Sequence, residues 1–584
     1  MLPLVLERVC EDTYDKLTKE YKETYFEEPS IEQRNAWRKL LSILKELNTP
    51  HPIIMEYPIF TERVDLIFVD KDKALVVEAK GWKSVKRVDD LTVIADEKLR
   101  QDPCYQLQNY VTKLNTYHSS NIKFEGLLFL YNTSDYSSEC KIVRSVNELR
   151  EELKNYPAGD ENDVRRITEG SLELKQGFTD FVRKVKELKL KNVAKALVSQ
   201  GFGLTEEQTL VLENVIKALE KGEEGKNFLI KGESGSGKSL LAVTLYLEAL
   251  SRGYFAILSY KNNRLINVVR QALGSELSMY VLFYSTGRGF GIGEKRFEEW
   301  FKKRFGNRRI DLIVFDEAQR MTIDVMRNSP RGRINVYFID DKQVLIGNEA
   351  GTEENFRKNV PNLEVYELSS PFREPKVYVN AVKDLLNGKR VTISSFEFRV
   401  FDDIRDMLRE LENRKREGRK VALICSFTES RGDKDNPQSI ENVRIGYPLP
   451  SRFDLYKEVG VNVRWLMDEE TEYPKYWSGE LDPLKYCSSV YGAQGFEAEY
   501  VGVVWGRDLV WRDGGWTVNS EPITDYVGGR DSLMDLAKSD KRRALELLKN
   551  RYYIMLTRAT KGVYVFFEDK LTGEKVKELV SYKK

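Results

Sequence analysis

The run Gly232-Glu-Ser-Gly235-Ser-Gly237-Lys238-Ser239 has the residue types that bind a polyphosphate. Its glycines let backbone N–H groups close around a β-phosphate, Lys238 supplies charge to the β- and γ-phosphates, and Ser239 offers a hydroxyl to Mg2+. The apolar run NFLIK precedes it and the helical run LLAVTLYLEAL follows, the strand–loop–helix setting that this chemistry requires. Further on, IDLIVF ends in Asp316-Glu317-Ala-Gln319. Beside bound phosphates, Asp316 would hold Mg2+ and Glu317 would orient and deprotonate the attacking water. Adjacent carboxylates at a strand end can also merely cap a helix; the phosphate loop upstream favours the catalytic reading.

A second group lies near the N-terminus. Arg63-Val-Asp65-Leu-Ile-Phe-Val and Ala74-Leu-Val-Val-Glu78-Ala-Lys80 read as strands joined by a turn over residues 70–73. With that turn Asp65 stands opposite Glu78, and Lys80 shares the face of Glu78 because strand side chains alternate. Two carboxylates and an ammonium on one face of an apolar hairpin suit a hard divalent cation and a water oriented by the lysine. Gln106 and Tyr110 follow one helical turn apart. Ser30 reads as the cap of a helix whose first turn holds Glu32, a further candidate carboxylate. The bland alternatives are a simple first-turn role for Glu32 and a cross-strand ion pair between Asp65 and Lys80.

The elements that must position these groups fall into three textures. Residues 1 to about 140 read as helices followed by short apolar strands, a small α/β domain. Residues 141–200 are highly charged with helical spacing of Leu, Val and Phe, and read as a helical connector. From there on, apolar strands alternate with helices in two blocks, 201–395 and 396–584, which predicts two buried parallel sheets covered by helices. A stretch at about 432–486, rich in Pro, Trp and Tyr, looks inserted into the second block. Nucleic-acid contacts are expected at Tyr260 to Arg264 and at Ser426-Phe-Thr428, after parallel strands; for Trp465, Trp477 and Trp516, core packing outweighs stacking on bases.

Composition adds bounds. The 93 basic against 92 acidic residues leave a net charge of +1, so any polyanion must be met by local patches. Cys10, Cys104, Cys140, Cys425 and Cys487 form no CxxC pair and only two histidines accompany them, which excludes a zinc ribbon and predicts buried reduced thiols rather than a disulfide scaffold. No run of about 18 apolar residues and no signal segment is present, so a cytoplasmic protein without a membrane partner is expected.

The order of further motifs carries a resemblance. Asp316-Glu317-Ala-Gln319 is similar to the second motif of superfamily 1 helicases, and five more elements follow the order of that family. Gly203-Leu-Thr-Glu-Glu-Gln208 resembles its adenine-reading element, implying Gln208 on the adenine edge. Asp340-Asp-Lys-Gln343 resembles the motif that couples the γ-phosphate to the nucleic-acid channel, and Leu368-Ser-Ser-Pro-Phe-Arg373 the one whose arginine reaches the γ-phosphate. Val490-Tyr-Gly-Ala-Gln494-Gly495-Phe-Glu497 resembles the second-lobe motif that touches nucleic acid and nucleotide, and Tyr552-Tyr-Ile-Met-Leu-Thr-Arg558 the final motif with its arginine finger.

At the N-terminus, Asp65, Glu78 and Lys80 match the PD-(D/E)XK nucleases. Gln106 and Tyr110 resemble the RecB-like branch, in which Glu32 would supply the extra carboxylate. The layout resembles a family of prokaryotic ATPases related to the Schlafen helicase domain. The resemblance implies two RecA-like lobes behind a nuclease-like domain, with ATP and Mg2+ as cofactors and Mg2+ or Mn2+ at the nuclease site. It implies a partner that is nucleic acid, DNA with a single-stranded portion ahead of RNA. The implied activity is a helicase or translocase driving cleavage for repair, recombination or defence; the rival is an ATP-gated switch that does not translocate and licenses a nuclease or a protein partner.

Overall fold

The computed structural model describes residues 4–6, 9–10, 12–25, 28–133, 135–172, 192–261, 263–284, 292, 297–369, 375–394, 396–426, 463–465, 472–494 and 497–582. They divide into two compact units. The first holds the described residues up to 172, those from 192 to 217, and Ser369; the second holds 218–368 and those from 375 onward.

The first unit is built on a mixed six-stranded sheet in the order β1 (Leu4–Leu6), β2 (Ile53–Ile59), β3 (Glu62–Val69), β4 (Lys73–Lys80), β8 (Lys123–Leu130), β9 (Ile142–Val143). The first four strands pair antiparallel and the last two join in parallel. A separate three-stranded meander, β5 (Val85–Arg87), β6 (Thr92–Ala95) and β7 (Lys98–Gln101), which the periodicity does not announce, precedes helix Pro103–Tyr117. Strand alternation sends side chains into two cores. Ile67 and Val76 pack with Leu107, Tyr110 and Leu114 of that helix, while Leu75 and Val77 pack with Trp37, Leu40 and Leu44 of helix Ile31–Leu47. The stretch 141–172, expected in a connector, supplies β9 and helices Val146–Leu153 and Glu161–Thr168 to this unit.

The thiol expectation is corrected at one pair: Cys104 and Cys140 form a disulfide, with Cα atoms 5.7 Å apart. Their separation of 36 residues hides this, because the loop before β9 folds back onto the first turn of helix Pro103–Tyr117. Cys10, Cys425 and Cys487 carry no disulfide; the latter two are buried as expected, whereas Cys10 is exposed, against the expectation.

The second unit carries two further six-stranded sheets, each wholly parallel. Lobe 1 has the order β12 (Val281–Phe283), β11 (Ala256–Tyr260), β13 (Leu312–Phe315), β14 (Ile334–Ile339), β10 (Lys226–Lys231), β15 (Leu363–Glu367). The apolar runs read as strands in lobe 1 are β10 to β14; the more polar edge strand LEVYE is the one that periodicity misses. Lobe 2 has the order β17 (Glu397–Phe401), β24 (Ala559–Phe567), β21 (Ala498–Trp505), β18 (Val421–Cys425), β20 (Tyr486–Ser489), β19 (Arg464–Trp465). The expected insertion at about 432–486 lies mostly outside the described residues, and its described end supplies β19 and helix Glu472–Ser478. Trp477 and Trp516 are buried, and Trp516 stacks on Trp505 at 5.2 Å, so both pack as core; the side chain of Trp465 is outside the description. Among the described residues no helix is long and apolar enough to cross a membrane.

Asp102 caps helix Pro103–Tyr117 through the N–H groups of Cys104 and Tyr105 and also accepts the Tyr136 hydroxyl. Asp102→Ala should therefore weaken the first unit by about 1 to 2 kcal/mol, while Asp102→Asn keeps most of the cap. Hydrogen exchange of the helix amides checks this, and unchanged protection in Asp102→Ala would show that the cap is dispensable there.

Candidate active sites

In lobe 1 three neighbouring parallel strands, β13, β14 and β10, end side by side and deliver the acidic pair, Asp340 and the glycine loop to one edge. Gly235 and Gly237 take φ of 81° and 80°, a backbone region in which a side chain would clash with its own carbonyl. At Gly232 an added Cβ would lie 2.3 Å from the Ser236 hydroxyl. The loop thus closes on itself and opens helix Lys238–Ser251, whose first N–H groups and dipole face the loop's concavity. The Lys238 ammonium donates to the carbonyls of Gly232 and Glu233 at 2.7 and 2.8 Å. Glu233 is held well below the usual carboxylate range because Lys342 and Lys383, both hydrogen-bonded to it, outweigh its burial.

Asp316 is fully buried, which raises its pKa, with the Ser239 hydroxyl opposing; its Oδ2 has no hydrogen-bond partner. A buried, unpartnered carboxylate oxygen beside a serine hydroxyl fits a hard cation. Glu317 follows in a left-handed conformation at φ 55°, and burial with the Asp316 charge pushes it up to about 7 against the pull of Lys238. Such a group takes a proton from water near neutral pH. The Gln319 side-chain amide donates to the Glu317 carboxylate, and its Oε1 accepts the Asp340 N–H. Gln343 donates to Asp340 at 2.7 Å, leaving its buried Oε1 without a partner.

Among the described residues, lobe 2 reaches this edge through Arg558 and Gln494 among others. Arg558 donates to Ser234 of the glycine loop at 2.6 Å, and Gln494 donates to the Gln343 carbonyl at 3.2 Å. Glu497 is half-buried just ahead of β21. Arg373 and Gly495 lie outside the described residues, as do Asn262, Phe427 and Thr428. Gln208 belongs to the first unit, where Thr205 and Gln208 form a reciprocal cap at the start of helix Glu206–Glu220. Two expected nucleic-acid contacts are corrected: Tyr260 is wholly buried, and Lys261 turns inward to the Arg320 carbonyl at 2.5 Å. Ser426 is buried too.

The first unit holds a cavity of about 300 Å³ whose lining includes Asp65, Glu78, Lys80, Gln106 and Tyr110. The β3–β4 register pairs Leu66 with Val77, so the next rung sets Asp65 against Glu78 as the hairpin reading requires. Asp65 accepts the Ala79 N–H at 2.9 Å, Lys80 pairs with Glu78, and Gln106 donates to the Tyr110 hydroxyl at 2.7 Å. Burial raises the Glu78 carboxyl and Asp65 adds to it; burial would lower Lys80, but Glu78 and Asp65 hold it protonated. Among the described residues no three His, Cys, Asp or Glu side chains converge as a ready metal cage. The buried Oε2 of Glu78 lacks a partner, which fits a cation held by one or two carboxylates and water, the usual manner of Mg2+.

Glu32 is corrected. Its side chain is 72% exposed and pairs with Lys98 and Arg100 at 3.0 and 3.6 Å, away from the cavity. With Ser30 capping the Gln33 N–H, the cavity-lining face of helix Ile31–Leu47 carries Gln33, Ala36, Trp37 and Leu40, and Glu32 falls outside that stripe. Further acids line the cavity where Glu32 does not, among them Glu62, Glu206, Glu207 and Glu56 on β2, the last held by Trp37 at 2.7 Å and Gln33 at 3.3 Å. The signal of Glu56 in the sequence is a charge inside the apolar run IIMEYPI.

Two parallel-sheet lobes with a glycine loop, a buried acidic pair and an arginine from the second lobe on that loop define a P-loop motor ATPase of RecA-like build. Residues 225–569 match the family described as Schlafen group 3, DNA/RNA helicase domain, and the chain belongs to that family. An uncharacterized protein of Saccharomyces cerevisiae is 22% identical over 396 residues, 59% of this chain and 82% of the yeast protein. Two solved helicases overlap it more loosely. The Pif1 helicase of Candida albicans is 14% identical with a TM-score of 0.31, covering 64% of this chain and 97% of its own. The arterivirus nonstructural protein 10 helicase, solved with DNA, is 12% identical with a TM-score of 0.27, covering 63% and 67%.

Burial pushes Glu56 up to about 7, with Arg63 opposing and Asp65 adding. A carboxyl whose folded pKa is raised binds its proton more tightly when folded, so its stabilising effect is full below the unfolded value near 4.5 and is lost as pH rises towards 7. Glu56→Gln keeps an acceptor for Trp37 and Gln33 and should remove part of that decline. Melting of the first unit at about pH 5 and about pH 8 measures it; equal declines in both proteins would rule the assignment out.

Proposed function

We propose that the chain is an ATP-driven nucleic-acid motor whose N-terminal unit cuts its track, DNA with a single-stranded portion ahead of RNA, in repair, recombination or defence. The observation that carries the nuclease half is the single cavity lined by Asp65, Glu78, Lys80, Gln106 and Tyr110. A structural ion pair needs only Lys80 and Glu78, whereas the cavity also gathers an amide–phenol pair and a carboxyl oxygen without a partner.

In the motor, Lys238 and the loop N–H groups bind the β- and γ-phosphates, with Gln208 on the adenine edge. Ser239 and Asp316 would hold Mg2+, and in the nuclease Asp65 and Glu78 would hold Mg2+ or Mn2+; a divalent cation at either place neutralises phosphate charge and lowers the pKa of a bound water. Glu317 takes the proton of the water that attacks the γ-phosphate. Arg558 and Arg373 stabilise the charge that gathers on the γ-phosphoryl oxygens. Gln343 reads the γ-phosphate, and Gly495 and Glu497 carry its state into lobe 2. In the nuclease, Lys80 orients the attacking water while Gln106 and Tyr110 steady the scissile strand.

Labelled single-stranded and duplex DNA and RNA, with Mg2+ or Mn2+ and with or without ATP, test this on the full chain. Lys80→Ala should lower cutting by about 10² or more with ATP hydrolysis intact. Lys238→Ala should abolish ATP hydrolysis and any ATP-dependent part of the cutting. If the wild-type chain hydrolyses ATP on nucleic acid but cuts none of the substrates, the nuclease half is wrong and the first unit only binds.

A further inference from the structure

The turn that follows the acidic pair carries a buried arginine which the motifs leave without a role. Arg320 ends the short 3-10 turn Ala318–Arg320, is 5% exposed, and donates its N–H to the Glu317 carbonyl. Its guanidinium is divided between the lobes. Nε donates to Glu349 of lobe 1 at 2.8 Å, Nη1 donates to the Gln494 side-chain oxygen of lobe 2 at 3.3 Å, and the group lies 5.6 Å from the centre of the Tyr491 ring.

Each partner is itself fixed. Glu349 accepts the N–H groups of Leu345 and Ile346. Gln494 donates to the Gln343 carbonyl. Tyr491 donates to Asp525, which Arg551 also grips at 2.6 Å while donating to the Leu345 carbonyl. The turn has no slack on its other side: a Cβ on Gly351 would come within 2.3 Å of the Ala318 carbonyl oxygen and of the Gln319 Cα. A turn so packed moves as one piece, so Glu317, Gln319 and Arg320 shift together.

A buried charge stays cheap only while its hydrogen bonds are kept. Sliding lobe 2 past lobe 1 breaks the Arg320–Gln494 bond and leaves the guanidinium under-satisfied unless the turn follows. We infer that Arg320 is the positioning residue that ties the orientation of Glu317 to lobe closure, so that hydrolysis is accelerated only when lobe 2 is seated on nucleic acid. This rests on the motor reading, and not on the nuclease.

Steady-state ATP hydrolysis by the full chain, with and without a single-stranded oligonucleotide, tests it. Arg320→Lys keeps the charge for Glu349 but cannot span both partners, and Gln494→Ala removes the lobe 2 partner while leaving the Arg320–Glu349 pair. Each should cut the oligonucleotide-stimulated kcat by about tenfold, within the range of allosteric couplings, with the KM for ATP changed less than about twofold and melting near that of wild type. The double variant should be no slower than the slower single variant, since both break one bond. Stimulation that survives in both single variants, or losses that multiply in the double variant, would overturn the coupling alone. A wild-type chain that hydrolyses ATP without any stimulation would overturn both the coupling and the motor reading.

Discussion

Two adjacent carboxylates, Asp316 and Glu317, are buried at the end of β13, and much of lobe 1 is arranged around making that tolerable. Isolated in an apolar interior each charge would cost several kcal/mol. Lys238 lies close enough to pull both pKa values down, Ser239 and Gln319 supply hydrogen bonds, and one Asp316 oxygen is left for a cation. This explains why the loop, the acidic pair and the Asp340 turn must come from neighbouring parallel strands: only strands ending on the same edge put three backbone turns within reach of one buried pair. The left-handed backbone at Glu317 is a strained conformation held at the same place.

The N-terminal cavity solves a similar problem with fewer compensations. Glu78 and Glu56 are both raised by burial, and a single ammonium, Lys80, is the nearest cation to Glu78. Arg63 serves Glu56 from 3.7 Å. An excess of buried carboxyl over ammonium is a state that added positive charge relieves, which is the electrostatic sense in which this pocket suits a cation.

How far the sequence discloses this depends on the range of the interaction. The glycine loop, Asp316, Glu317, Asp65, Glu78 and Lys80 are bound to their elements by local rules, turn chemistry and strand alternation, and the side chains lie where those rules put them. Strands with continuous apolar runs were equally legible, whereas β15, with alternating Glu, and the small meander β5–β7 were not, since their pairing partners are fixed by tertiary placement. The Cys104–Cys140 bond, the inward turn of Lys261 and the presence of Glu56 but not Glu32 in the cavity all depend on contacts across tens of residues, where spacing carries no information. Glu32 is instructive, because its helix and its cap were both legible and only the rotation of the helix about its axis decided against it.

The ammonium of Lys238 spends its hydrogen bonds on the carbonyls of its own loop. If Lys238 binds phosphate as proposed, nucleotide uptake would exchange these two bonds for bonds to phosphate. Such an exchange holds the loop in shape between turnovers, so little chain entropy is lost on binding, but it also subtracts the broken bonds from the affinity. A motor that must release its product on every cycle would benefit from that subtraction, because the lysine would have the loop carbonyls to return to.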